Sequence, residues 1–380
     1  MQDVFKGAKN LGFGLMRLPL LDGNDDSKID IETLKTMVDM FIERGFTYFD
    51  TAWMYCGFAS ESAIKEALVK RYPRDKFTLA TKLHSGFINV QEDMDKVFDA
   101  QREKTGVEFF DYYLIHDVNA HSIETYDRLD AWSWLINKKK EGLVKNIGFS
   151  FHDSPELLEK VLKEHPQMEF VQLQINYLDY DSPAIKSREN YMLAEKYDKP
   201  VIVMEPIKGG TLINVSDQVK KLFEEANPDA SIASWAVRFA ASHKNVKMVL
   251  SGMNKIEDMD NNTAYMKNFS PLTEKEKELV FKAADIMNKE IAIPCTGCSY
   301  CTEGCPKKIA IPKYFALYNA EMKQNPDGKL GWTPQMGYYA NISKDFGKAG
   351  DCIKCRKCEK ICPQHLEITE FLKTVADRFE

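Results

Sequence analysis

Phe46-Thr-Tyr-Phe-Asp50-Thr-Ala-Trp-Met-Tyr55 is the stretch from which the rest of the chain can be read. Its first half is short, aromatic and β-branched, the composition of a strand. That strand ends on an acid, and a tyrosine follows five residues later. Two later runs end in the same manner: Phe77-Thr-Leu-Ala-Thr-Lys82 stops at a lysine and Asp111-Tyr-Tyr-Leu-Ile-His116 at a histidine. Further strands are expected at Leu11–Met16, Asn146–Ser150, Phe170–Gln174, Val201–Glu205 and Lys247–Ser251. Together with Phe46–Asp50, Phe77–Lys82 and Tyr112–His116 they make eight. Helical periodicity separates them, at Ile31–Glu43, Glu61–Lys70, Glu124–Lys140, Pro155–Lys163, Asn190–Tyr197 and Ser231–Ser242. Eight β/α units spaced mostly 24–46 residues apart predict an α/β fold, a (β/α)8 TIM barrel over residues 1–290, closed by a helix at Thr273–Lys289. A doubly wound open sheet is the competing architecture. It favours a glycine-rich phosphate loop directly after the first strand, where this chain has only Gly12-Phe-Gly14.

In a barrel, reactive side chains gather at the C-terminal ends of strands. Taken singly, Asp50 is a helix cap, His116 a satisfied core histidine and Tyr55 a rim residue. Together, an acid, a lysine and a histidine on three adjacent strands, facing a tyrosine, point to proton delivery to a carbonyl oxygen. A free tyrosine has a pKa of about 10 and donates sluggishly at neutral pH. A neighbouring ammonium lowers that value, and a shift of ~2 units corresponds to about 3 kcal/mol. The expectation is therefore that Lys82 lowers the pKa of Tyr55, Asp50 holds Lys82, and His116 orients the substrate oxygen.

The far end of the chain carries a second signal. Cys295-Thr-Gly-Cys298-Ser-Tyr-Cys301-Thr-Glu-Gly-Cys305-Pro306 is answered by Cys352-Ile-Lys-Cys355-Arg-Lys-Cys358-Glu-Lys-Ile-Cys362-Pro363, using eight of the nine cysteines. Both are C-x2-C-x2-C-x3-C-P runs, the spacing that wraps three thiolates round one iron–sulfur cube and sends the fourth to a second. Two [4Fe-4S] clusters are expected, Cys295, Cys298, Cys301 and Cys362 on one, Cys352, Cys355, Cys358 and Cys305 on the other. Zinc ribbons and a disulfide framework are the alternatives. Residues 291–380 read as a small ferredoxin-like domain, with helices at Pro312–Lys323 and Glu367–Phe379 and a turn-rich loop at 325–331.

The barrel half resembles the aldo-keto reductases. The resemblance rests on Asp50-Thr-Ala-x-x-Tyr55, Ser60-Glu61, Lys82 and His116, which match that family's tetrad motifs in order. It implies an NAD(P)H cofactor, NADPH or NADH, lying extended over the barrel mouth, and a small-molecule carbonyl substrate reduced to an alcohol or formed from one. Ser150 and Gln174 match positions that hold the nicotinamide amide, and Asn262 an adenine contact. Pro206 and Gly209 belong to a segment similar to the loop over the pyrophosphate, with a simple tight turn as the alternative. Gly252, Asn254 and Lys255 follow strand eight, with Asp258 set to repel a 2′-phosphate. Two positions depart from the pattern. Phe151 stands where many members have Asn, and Met204 where an aromatic ring stacks on the nicotinamide. The cysteine domain resembles the extension carried by a subset of bacterial and archaeal members.

Composition fits a soluble globular chain, 44% hydrophobic and 28% charged. The net charge of −6 is uneven, because residues 291–380 hold 13 basic and 10 acidic side chains. Lys354, Arg356, Lys357 and Lys360 offset anionic clusters. No basic run has the interleaved aromatics of a nucleic-acid groove, and no apolar run has membrane-spanning length. The start lacks a signal-peptide pattern, and with reduced thiols this predicts a cytoplasmic protein. Cys56, beside Tyr55, is either a small packed hydrophobe or a redox-sensitive thiol. Two functions remain open. One is a carbonyl oxidoreductase whose clusters exchange electrons with a ferredoxin- or flavodoxin-type carrier, with Lys354, Arg356 and Lys357 as a docking patch, or merely staple the tail. The other is a non-catalytic redox or nucleotide sensor built on the same barrel.

Overall fold

The computed structural model describes residues 5, 10–22, 25–182, 185–325, 331 and 333–380. Eight parallel strands close into a barrel in chain order: β1 (Leu11–Gly14), β2 (Tyr48–Asp50), β3 (Thr78–His84), β4 (Phe110–Val118), β5 (Val144–Phe151), β6 (Phe170–Gln174), β7 (Val201–Met204) and β8 (Val246–Gly252). All eight expected strands form, most shifted by a residue or two at the ends. The open-sheet alternative falls, because β1 pairs with both β2 and β8.

Strand alternation divides the side chains. Tyr48, Ala80, Tyr112, Leu114, Phe170, Ile202, Met248 and Leu250 fill the barrel, with Phe5 among them, stacked on Tyr112 at 5.2 Å. Gly12 is needed there, because a Cβ would lie 2.8 Å from Leu250 and 2.9 Å from Tyr48. The outward residues pack on helices. Ile31–Glu43 shows why: Asp30 caps the Thr33 N–H at 3.1 Å, and Leu34, Met37, Val38 and Phe41 bury one face.

Two expected helices are broken. Glu61–Lys70 forms as α-helix Ser60–Ile64 followed by a π-helical stretch, Lys65–Val69. Glu124–Lys140 splits into Ile123–Arg128 and Ala131–Lys140, with Asp130 at φ 53° between them. The buried Tyr126 hydroxyl ties the first piece to the site by donating to the His116 carbonyl at 2.6 Å.

The C-terminal region has its own core, in which Ile293, Ile309, Tyr314, Phe315, Ile368 and Leu372 are buried. Its longer helices are Ile311–Gln324, Pro334–Ile342 and Ile368–Phe379. The expected loop at 325–331 has only its two ends inside the described residues. Arg378 ties the last helix to Glu321, which also accepts from Thr333 at 2.6 Å. Among the described residues no helix is long and apolar enough to cross a membrane.

This region sits on the mouth of the barrel. Arg17 donates to the Thr296 carbonyl at 3.2 Å. Gly209, at φ 61°, passes so close to Thr296 that a Cβ would lie 2.1 Å from its carbonyl oxygen.

Candidate active site

Three neighbouring strands present Asp50, Lys82 and His116. Asp50 is the last residue of β2, and inward positions on β3 and β4 carry Lys82 and His116. Lys82 is fully buried and donates to Asp50 Oδ1 at 2.5 Å and to the Thr51 carbonyl at 2.7 Å. Ser60 supports Thr51 with a 2.8 Å hydroxyl contact, and Glu61 accepts from Thr81 at 2.8 Å behind them. Tyr55 opens a short turn, Tyr55–Phe58, whose Cys56, Gly57 and Phe58 are all left-handed. The turn lays the Tyr55 ring 5.0 Å from Lys82 Nζ and 6.0 Å, edge-on, from the His116 ring.

The electrostatics differ from expectation in one respect. Burial pushes the Tyr55 phenol well above its ordinary pKa, and the nearby Tyr300, Asp50 and Glu205 add to the rise. Lys82 donates to Asp50 and the Thr51 carbonyl, and the Asp50 charge beside it raises the phenol further. Within the pair burial also prevails, raising Asp50 and lowering Lys82. Burial holds His116 well below the usual histidine value, helped by His84, Lys82 and His152. His116 is therefore a neutral imidazole at pH 7. Cys56 is a packed thiol, pushed up to about 12 by burial and lying 3.6 Å from the Leu15 and Met16 carbonyls.

A cavity of about 390 Å³ lies over these groups. Asp50, Tyr55 and His116 line it, as do Gln174, Met204, Pro206, Gly209, Gly252, Asn254 and Lys255. Ser150 and Asn262 do not. The Ser150 hydroxyl accepts from the Asp117 N–H at 2.7 Å, and the Asn262 amide is held by Ser251 at 2.9 Å and Tyr265 at 2.7 Å. Gln174 reaches the cavity with its amide already engaged by Asp179 at 2.8 Å. Sequence reasoning passed over Gln172, whose Oε1 is buried without a hydrogen-bond partner among the described residues. Asp50 Oδ2, His116 Nδ1 and Glu205 Oε2 are likewise buried and have no partner among the described residues. Four orphaned polar atoms, three of them acceptors in the ordinary charge state, fit a polar guest. His84 was also missed. It lies 5.3 Å from His116 and 3.8 Å from Asp117. Both misses were detectable, since Gln172 and His84 stand two residues from named positions and so share their strand face.

The cysteine region completes the enclosure. Thr296, Cys298, Tyr300, Pro363 and Gln364 line the same cavity. A larger cleft of about 970 Å³ lies on the other side of Tyr55 and Tyr300, bordered by His84, Phe87, His121 and Glu303. Cys305, Cys352, Cys355 and Cys358 surround one small cavity. Cys295, Cys298, Cys301 and Cys362 lie within one another's electrostatic reach, and burial raises the pKa of all four thiols. Among the described residues no set of His, Cys, Asp or Glu converges on a single metal ion. Four sulfurs round a cube, each to a different iron, need no such convergence.

Residues 10–284 match the model of the aldo/keto reductase family, and residues 294–366 that of a 4Fe-4S dicluster domain. A probable aldo-keto reductase 1 from Glycine max is 29% identical over 167 residues, 42% of this chain and 46% of that protein. The chain spans about half the length of the first curated relatives it matches, 46%, 48% and 52%. Among solved structures, the holo form of an aldo-keto reductase from Bacillus halodurans superposes with a TM-score of 0.56 at 22% identity, covering 72% of this chain and 91% of that one. An aldo-keto reductase from Klebsiella pneumoniae in complex with NADPH gives 0.55 at 16% identity, covering 72% and 90%. At these identities the structural likeness concerns the fold.

Proposed function

Since the chain belongs to the aldo/keto reductase family and carries a 4Fe-4S domain after its barrel, we propose that it interconverts a small carbonyl compound and its alcohol with NADPH or NADH. The observation that carries this reading is one cavity lined by Tyr55, Asp50 and His116, with Lys82 buried behind them. A bound nicotinamide supplies or removes hydride. The chain's own residues handle the oxygen and its proton. Tyr55 keeps its phenolic proton at every physiological pH and gives it up only as negative charge builds on the substrate oxygen. Neutral His116 offers a hydrogen bond to that oxygen without a net charge. Lys82, anchored by Asp50 and the Thr51 carbonyl, fixes the base of the pocket. Gln172 offers an acceptor to the nicotinamide amide, and Met204 an adaptable apolar wall.

Two [4Fe-4S] clusters, on the cysteine sets proposed from the spacing, complete the protein. The first set abuts the cavity through Cys298. The second lies further out, where Cys355 is exposed beside Lys354, Arg356 and Lys357, the end an acidic one-electron carrier would approach. The test of the catalytic reading is Tyr55→Phe in anaerobically purified protein, assayed with both dinucleotides against aldehydes, ketones and quinones. Removing a general acid lowers turnover about 10²–10⁴-fold. Unchanged turnover refutes the role of Tyr55, and absence of turnover in both forms favours the sensor.

A further inference from the structure

Gln364 stands two residues beyond Cys362, in the iron–sulfur domain, yet it is buried against the end of β6. Its Nε2 donates to Gln174 Oε1 at 2.9 Å and its Oε1 accepts from Gln174 Nε2 at 3.2 Å, across 190 positions of sequence. The same Oε1 accepts from Lys208 Nζ at 2.9 Å, and Lys208 binds both oxygens of Asp179, at 2.6 and 2.7 Å. These partners fix which way each amide faces. An ammonium only donates, so the Gln364 atom facing Lys208 is the oxygen, and a carboxylate only accepts, so Gln174 turns its nitrogen to Asp179. Gln174 then has both N–H groups in use. Gln364 has one in use, and its second has no protein partner among the described residues.

We propose that Gln364 is a cofactor-binding residue, its spare N–H donating to the carbonyl oxygen of the nicotinamide carboxamide while Gln172 Oε1 accepts from the carboxamide nitrogen. A carboxamide needs one donor and one acceptor from its site. The cavity supplies the acceptor at Gln172 and the donor at Gln364, both of which line it. Phe151 supplies neither, and Ser150, whose oxygen accepts from the Asp117 N–H, does not line the cavity. The nicotinamide site is thus built from both parts of the chain, and the loop that carries Cys362 forms one wall of it.

This assignment rests on the nicotinamide reading above, and the test separates the two. Calorimetric affinities of the anaerobic holoprotein are measured for NADPH, NADH, the acetylpyridine analogues, which keep the carbonyl and lack the amide N–H, and ADP-ribose with and without the 2′-phosphate, which lacks the ring. Gln364→Leu is expected to weaken the dinucleotides and the acetylpyridine analogues about tenfold, the effect of one lost hydrogen bond, and to leave ADP-ribose unchanged. Gln172→Leu is expected to weaken the dinucleotides but not the acetylpyridine analogues. Visible absorption checks that the clusters persist, and Gln364→Glu, which keeps the volume and the acceptor for Lys208 but removes the donor, serves if the leucine variant loses them. Equal weakening of ADP-ribose, or none of the dinucleotides, overturns the assignment alone. Failure of wild type and variants alike to bind any dinucleotide overturns the nicotinamide reading and this assignment with it.

Discussion

Replacing Lys82 by Met tests the centre of the site quantitatively. Lys82 is fully buried, and Asp50 is 2% exposed. Lys82 Nζ donates to one Asp50 oxygen at 2.5 Å, and the other oxygen has no partner among the described residues. Without the ammonium, Asp50 is a stranded buried charge, a loss that typically costs about 3–5 kcal/mol. The stranded carboxylate has an escape, which is to take up a proton. At pH 7, protonating an acid of ordinary pKa about 3.9 costs about 4 kcal/mol, and that sets a ceiling on the penalty. At pH 5 the same step costs about 1.5 kcal/mol. The destabilisation by Lys82→Met is therefore expected to approach 4 kcal/mol at pH 7 and to shrink by more than half at pH 5. The sign follows from linkage: a folded-state acid with a raised pKa binds its proton before the unfolded chain does, so the variant regains stability as pH falls. Adding Asp50→Leu removes the stranded charge and is expected to recover most of the loss. Urea denaturation followed by intrinsic fluorescence reports the barrel, since four of the five tryptophans precede residue 291. A penalty that is the same at both pH values, or a double variant no more stable than the single, refutes the stranded-charge account.

Other expectations follow from separate parts of the molecule. His116 is held neutral far below the unfolded histidine pKa of about 6.5, so the unfolded chain alone gains that proton and stability is lost as pH falls below that value. His116→Gln should flatten the acid limb of a stability–pH profile by up to about 1.4 kcal/mol per pH unit, and an unchanged slope would falsify the assigned neutrality. Gly209→Ala combines a left-handed φ with a Cβ 2.1 Å from the Thr296 carbonyl; it should loosen the iron–sulfur domain from the barrel, seen as faster amide exchange at 295–301. The cysteine sets predict that Cys298→Ser with Cys362→Ser spares one cluster, leaving half the iron, whereas Cys355→Ser with Cys362→Ser damages both. Equal iron in the two double variants counts against the pairing.

The barrel was legible because its strands are short, apolar and bounded by polar stretches, and closure then makes neighbours of Asp50, Lys82 and His116 at three successive strand ends. Helices were less so. Gln91–Thr105 buries Gln101 and Thr105 together with Met94, Val97 and Phe98, so two polar residues interrupt its apolar stripe. The break at Asp130 had no glycine or proline to announce it. Side-chain partners are not legible in the same way: the Gln174 amide is engaged by Asp179 and Gln364, while Gln172, one step along the pleat, keeps its Oε1 without a partner among the described residues. The pKa of Tyr55 departs from the expectation because a sequence shows which charges are near but not how completely the phenol is desolvated, nor that Asp50, Tyr300 and Glu205 add to the rise. Nothing local in Pro363-Gln364 indicates where that loop docks.

That docking changes what the iron–sulfur domain is for the barrel. Read as a tail, it needed either an electron route to a distant site or a purely structural purpose. In the folded chain Cys298, Tyr300 and Gln364 border the cavity that holds Tyr55, so no separate route is required for the domain to affect the site. Whatever displaces the loop at 362–364 also displaces a wall of the pocket, and by reciprocity a ligand that fixes the wall holds the loop. Stripping iron from the first cysteine set should then weaken dinucleotide binding. Saturating dinucleotide should in turn slow loss of iron to a chelator, by the same factor if the coupling is one of binding equilibria and the release stays at equilibrium. A chelation rate indifferent to dinucleotide, in a protein that binds it, would mean that the shared wall carries no coupling.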